Sequence, residues 1–147
     1  MKIAHGTLVM AIDGGKMLLM RNAGDVPRPV LETIEEHTAE NPRTLLQGTD
    51  RPGRSFSRSG PRRSAVGDTD WHEEGEQRFA IDAVDTLSET QAREGGAVIV
   101  LAAPSVLGTF RKHCPQALGK SIIAEIDKDV VNLATDDIVK VVTAYEP

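Results

Sequence analysis

Six arginines, Arg43, Arg51, Arg54, Arg58, Arg62 and Arg63, stand between positions 43 and 68 against only Asp50 and Asp68, a local charge of +4 in a chain of net charge −5. The rest of the chain therefore carries −9. Arginine is used here to the exclusion of lysine. Its planar guanidinium grips a phosphate or carboxylate through two parallel hydrogen bonds, whereas lysine acts as a point charge. Pro52, Gly53 and Gly60 let the backbone turn sharply, and such turns can aim successive N–H groups at an anion. Arg51, Gly53, Arg54, Ser55, Arg58, Arg62 and Arg63 are accordingly the candidate binding residues, and the partner they fit is anionic: RNA phosphate or an acidic protein surface. A plainer assignment stands beside these, in which the arginines solvate a loop or pair with Glu73, Glu74 and Glu76 just beyond it. Proteins that read single-stranded RNA stack its bases on exposed aromatics. Only Phe56 and Trp71 are at hand, so any RNA contact would be to the backbone more than to bases.

The other chemistry-bearing residues form less complete sets. Asp13 ends the first apolar run, where a two-metal hydrolase would place a carboxylate, but such a site needs several acids converging on ions about 4 Å apart. The run Ala97 to Leu101 and its exit Ala102-Ala103-Pro104 contain none. A metal-dependent hydrolase of phosphodiester or ester bonds, built on Asp13, the Glu73 to Glu76 cluster or Asp127, is the enzyme alternative. Asp13 also suits a plain turn residue. His72-Glu73-Glu74 opens like a zinc-protease helix, yet position 76 is Glu where the second histidine belongs. Cys114 adjoins His113, but sequence neighbours on a helix point apart and no third group orients them. There is no nucleotide-binding glycine loop and no dinucleotide fingerprint. Asp127-Lys128-Asp129 reads as a charged strand exit. No cofactor is expected.

Length and composition bound what can position these residues. With 147 residues the chain suffices for one domain with a real core, so a single domain over 1–147 is expected. A pI near 5.3 gives no global attraction to nucleic acid or an anionic membrane; such attraction must be local. One cysteine excludes an intramolecular disulfide and a paired-cysteine zinc site. The opening Met1-Lys2-Ile3-Ala4-His5-Gly6 has no basic leader followed by an apolar stretch, which predicts an unexported, cytoplasmic protein. The longest apolar runs, Thr7 to Ile12 and Ala97 to Ala103, fall far short of the roughly 20 residues of a membrane helix. No membrane insertion is expected, and no oligomeric state is specified.

Leu8 to Ile12 and Met17 to Met20 flank Asp13-Gly14-Gly15-Lys16, a tight-turn sequence, and predict an antiparallel hairpin. Val30 to Glu35 adds a third strand or a short helix. From Asn41 to Asp68 periodicity disappears, which predicts a long Arg/Gly-rich loop at about 42–68. Asp70, with Glu73 three residues on, predicts a helix start. Phe79, Ala83 and Leu87, with Ala80 and Val84, supply its apolar stripe, and Gly95-Gly96 ends it. Ala97 to Leu101 has the unbroken apolarity of a strand covered on both faces. Pro104 opens a short helix closed by Pro115. Ser121 to Ile126 is a strand, and Thr135 is expected to cap a last helix with Asp136 and Asp137 in its first turn. Three strands, a loop, then helix, strand, helix, strand, helix is the order of a ribonuclease-H-like α/β domain.

Several segments resemble the bacterial host attachment protein family, proteins required for attachment to host cells. They are His5-Gly6-Thr7, Asp50-Arg51-Pro52-Gly53-Arg54-Ser55-Phe56, Glu76-Gln77-Arg78-Phe79-Ala80, Ala103-Pro104 with Leu107-Gly108 and Arg111, and Glu125-Ile126-Asp127-Lys128-Asp129. That name describes a cellular phenotype, so an indirect, intracellular role is what the resemblance implies. The same family is distantly similar to the middle domain of eukaryotic and archaeal peptide-chain release factors, a ribonuclease-H-like module in which a Gly-Gly-Gln loop between the third strand and the long helix promotes peptidyl-tRNA hydrolysis. Here the arginine-rich loop takes that position and contains no such triplet; Gln47-Gly48 is the nearest sequence. The resemblance therefore implies a binding or regulatory module that contacts tRNA or ribosomal RNA without that catalysis.

Overall fold

The computed structural model describes residues 1–39 and 61–146, with side chains for 1–39 and 74–146. Strands β1 (Leu8–Ile12), β2 (Lys16–Asn22) and β3 (Leu31–Thr38) form an antiparallel meander. Helix α1 (Pro61–Glu94) leads to β4 (Val98–Ala102), α2 (Pro104–His113), α3 (Gln116–Gly119), β5 (Ile122–Ile126) and α4 (Thr135–Ala144). The single sheet has the order β3-β2-β1-β4-β5, with β1, β4 and β5 mutually parallel. This is the mixed open sheet, half meander and half βαβ, that the element order predicts.

Alternation along the central strands divides the core. Leu8, Met10 and Ile12 of β1, Met17 and Leu19 of β2 and Val98 and Val100 of β4 face one side, where Ala80, Ala83, Val84 and Leu87 of α1 and Leu107 and Phe110 of α2 cover them. Val9, Ala11, Leu18, Met20, Ile99 and Leu101 face the other, under Ile138 and Val142 of α4 with Ile3, Val130 and Val131. Both β1 and β4 are buried along their whole length, which explains their unbroken apolarity.

Two helix starts differ from expectation. α1 begins at Pro61 and not at Asp70: Pro61 presets φ for a first turn, no other proline follows before Glu94, and only Gly67 and Gly75 oppose the helix, at about 1 kcal/mol each. The apolar stripe marks only the stretch of α1 that packs on the sheet. Arg62, Arg63 and the expected cap Asp70 thus belong to helix. In α4 the cap position falls to Ala134, which makes no side-chain cap bond, and Thr135 is the first helical residue. The helix opens on the dipole-favoured Asp136 and Asp137 instead.

Gly95 and Gly96 end α1 with φ of +73° and +95°, conformations that side chains disfavour. At the same end of the sheet, the Met1 ammonium donates to the carbonyls of Thr143 (2.7 Å) and Tyr145 (2.6 Å). Residue 1 is thereby fastened to the close of α4.

Candidate functional site

Because β3 runs antiparallel to β2, and β2 to β1, strands β1, β3, β4 and β5 all end at one edge of the sheet. In open α/β sheets ligands bind in the crevice outside the carboxyl ends of the strands, at a topological switch point. Asp13, Ala39, Ala103 and Asp127 follow these four strands directly, so the segment after Ala39 and the Asp127-Lys128-Asp129 exit issue from the same edge.

Local bonding fixes the hairpin turn at its centre. The Asp13 carboxylate accepts from the backbone N–H of Gly15 (2.8 Å) and Lys16 (2.6 Å), and the Asp13 N–H donates to the Lys16 carbonyl (2.9 Å). Asp13 is a turn residue. The Ala39 N–H donates to the Gly15 carbonyl (2.7 Å), so the exit of β3 is pinned to this turn. The Glu76 side chain of α1 lies across Gly14: a Cβ on that glycine would stand 2.9 Å from Glu76 Cγ and Cδ. Turn, β3 exit and the Glu76 stretch of the long helix thus lie side by side where β3 ends. Residues 61–75, roughly 22 Å of helix at about 1.5 Å each, lie N-terminal to Glu76.

Among the described carboxylates proposed for metal hydrolysis, Asp13 sits in the turn and Glu76 lies across Gly14 beside it, whereas Asp127 follows β5, two strands or about 10 Å away. Among the described residues no group of three His, Cys, Asp or Glu side chains could hold a metal ion. The Glu73 side chain lies outside the described residues.

Two clefts adjoin the sheet. One of about 300 Å³ opens below the β3 exit, lined by Met17, His37, Thr38, Phe79, Asp82 and Thr86 among others. Glu35 and His37, two apart on β3 and hence on one face, bond to each other through Glu35 Oε2 and His37 Nε2 at its rim. The other, about 610 Å³, lies between β5 and the α2–α3 corner, and includes Cys114, Lys120, Ile123 and the ion pair of Arg111 with Glu125 (2.6 Å). Burial and the nearby Glu125 charge raise the Cys114 pKa above its ordinary value. Its Sγ–H donates to the Pro115 carbonyl (3.5 Å), and not to His113. This thiol is poorly suited to nucleophilic chemistry, which needs a thiolate.

Of the sequence-predicted binding residues, Arg51, Gly53, Arg54, Ser55 and Arg58, with Arg43 and Phe56, lie outside the described residues. Arg62 and Arg63 belong to the first turn of α1, their side chains and that of Trp71 outside the description. What the structure adds is the contact of Ala39 with Gly15 at the end of β3 and of Glu76 with Gly14. Sequence reasoning missed both contacts and the Glu35–His37 pair; the i, i+2 spacing on a strand was the signal for the latter.

A mixed, open five-stranded sheet with flanking helices is an α/β architecture consistent with a release-factor-like domain. The chain belongs to the bacterial archaeo-eukaryotic release factor family 12, which it matches over residues 6–142. That match carries the release-factor side of the sequence resemblance and not its host-attachment side. No curated protein matches the chain. No helix among the described residues is long and apolar enough to cross a membrane.

Proposed function

We propose that the protein is a single-domain, non-hydrolytic RNA-binding module of the translation apparatus, which contacts tRNA or ribosomal RNA through Arg51, Arg54, Arg58, Arg62 and Arg63, with Gly53 and Ser55 shaping the backbone. The observation that carries this reading is positional. The arginine-rich stretch 43–68, which spans the connection from β3 to the long helix and the first turns of that helix, stands in a member of a family named for release factors, and it concentrates +4 in a chain of net −5. Lacking a Gly-Gly-Gln triplet, the segment supplies phosphate contacts and no catalytic glutamine. This reading places the protein in the cytoplasm and makes any role in attachment to host cells indirect.

The test is the affinity for bulk tRNA, measured by fluorescence anisotropy across a salt series. Phosphate contacts release counterions, so log K should fall steeply with log salt, and each arginine replaced by alanine should flatten the slope by about 1. A salt-insensitive affinity, or one unchanged in Arg54→Ala/Arg58→Ala, overturns the RNA reading. A partner that survives nuclease treatment of a native pull-down and carries an acidic surface would replace it with the protein-interaction reading.

A further inference from the structure

Among the described residues, strand β3 is the outermost strand on its side of the sheet and, at eight residues, the longest in it. Its inner side pairs with β2 from Asn22↔Leu31 to Lys16↔Thr38. Among the described residues no strand pairs with its outer side. Such an edge is a template for another strand, and proteins blunt it with lysine, proline, bulges or inward charges. β3 has neither lysine nor proline. It carries a register shift that leaves Ile34 without a partner on β2, and three glutamates, Glu32, Glu35 and Glu36. Lys16 approaches one of them, Glu36, at 3.9 Å, so the acidic excess persists.

The edge is not purely charged. Ile34 is 39% exposed, Val30 just before the strand 54%, and Val26 in the preceding connection 42%. These are three of the five large apolar side chains exposed among the described residues. The register places Glu32, Glu35 and His37 opposite Arg21, Leu19 and Met17, the side of the sheet on which α1 packs. There the cleft of about 300 Å³ runs from His37 and Thr38 to Asp82 and Thr86, so it opens beside the strand and is acidic at its rim.

We propose that the β3 edge, with the His37–Asp82 cleft, is a docking site for an extended partner peptide in which lysine or arginine alternates with apolar residues. The peptide adds a sixth strand. Its main chain completes the ladder, its basic side chains on the α1 side meet Glu32 and Glu35 while their methylene stems cover Ile34 and Val30, and one reaches Asp82 in the cleft. In strand addition, main-chain bonds supply affinity and pockets for alternate side chains supply selectivity. Charge complementarity decides the occupant. A second copy of this chain pairing β3 with β3 would set glutamates against glutamates, and like charges across a strand pair are destabilising.

The probe is a fluorescein-labelled peptide of about eight residues, the length of β3, alternating lysine and valine. It is compared with the same peptide N-methylated at alternate amides and with a version carrying glutamate for lysine. The plain peptide should bind saturably and slow amide exchange in β3. N-methylation should weaken binding at least about tenfold, as loss of several ladder bonds implies, with charge unchanged. Glu35→Lys and Asp82→Lys, each checked for native circular dichroism, should weaken it comparably. Equal binding of the N-methylated peptide would reduce the effect to bulk charge and overturn the proposal. So would absence of binding, protection confined to β5, or a β3-protected dimer in sedimentation without peptide. None of these outcomes depends on whether RNA binds the arginine-rich segment.

Discussion

Asn22 closes β2 fully buried, and all four of its side-chain hydrogen-bonding positions are used. Nδ2 donates to the carbonyls of Ile3 (3.0 Å) and Ala4 (3.2 Å), while Oδ1 accepts from the N–H of Gly24 and Val30, both at 2.9 Å. One side chain thus ties the N-terminal segment to the connection that leads into β3. Asn22→Asp keeps shape and volume and turns both donors into an acceptor facing two carbonyls. Two bonds at about 1 kcal/mol each are lost, and at least one buried carbonyl is left unsatisfied at about 1–3 kcal/mol more, so the expected cost is about 3–5 kcal/mol at pH 7. For a chain of this size that is a Tm lower by roughly 10 °C. The sign of the pH dependence follows from the same geometry. Full burial and the two carbonyls favour the protonated carboxyl and outweigh the Gly24 and Val30 N–H donors, which favour the carboxylate, so the pKa in the folded state lies above the unfolded value. Protonated, it can still donate to one carbonyl. The destabilisation is therefore least below the unfolded pKa of about 3.9, and grows by about 1.4 kcal/mol per pH unit until the folded pKa is passed. Urea unfolding followed by far-UV circular dichroism at pH 4 and 7, with the wild type subtracted at each pH, measures both quantities. A penalty below about 1 kcal/mol at pH 7, or one no smaller at pH 4, refutes the reasoning.

Two further outcomes are expected of the fold and the Cys114 cleft. Gly96→Ala meets both a positive φ and the Gly6 carbonyl 2.8 Å from the new Cβ, whereas Gly95→Ala meets the positive φ alone, with open space around it. The second should cost about 1 kcal/mol and the first clearly more; equal losses in thermal melts would contradict the packing at the α1–β4 junction. Because burial and then Glu125 raise the Cys114 pKa, the thiol should alkylate with iodoacetamide more slowly at pH 8 than a free cysteine, and Glu125→Gln should speed it. A slower reaction in the variant would contradict the Coulombic contribution.

Elements whose sequence pattern reflects burial were legible, and those set by local bonding were not. The hairpin, the doubly covered β4 and the packed stretch of α1 follow from apolar periodicity, because Met10, Val100 and Leu87 have no exposed alternative. The third strand was ambiguous with a helix because only Leu31 of its eight residues is buried, leaving little alternation to read. The start of α1 was misplaced because residues 61–69 lack an apolar stripe, and Asp70 with Glu73 imitates a cap inside a helix that is already running. Asp13 was seen as both a turn and a metal candidate, and only its bonds to Gly15 and Lys16 decide between them. Asn22 left no trace in the sequence, since its four partners lie up to nineteen positions away.

The fastening of Met1 to the carbonyls of Thr143 and Tyr145 makes the fold a closed ring in all but one covalent link. A short linker joining residue 146 to residue 1 would permit circular permutation, with new ends cut between Ala39 and Pro61. In such a permutant the β3 exit and α1 would be held together by the Gly15 carbonyl, by Glu76 across Gly14 and by the packing of Phe79, Ala80 and Ala83 on the sheet. Comparing it with the parent would separate what the arginines do as charges from what they do as a connected bridge.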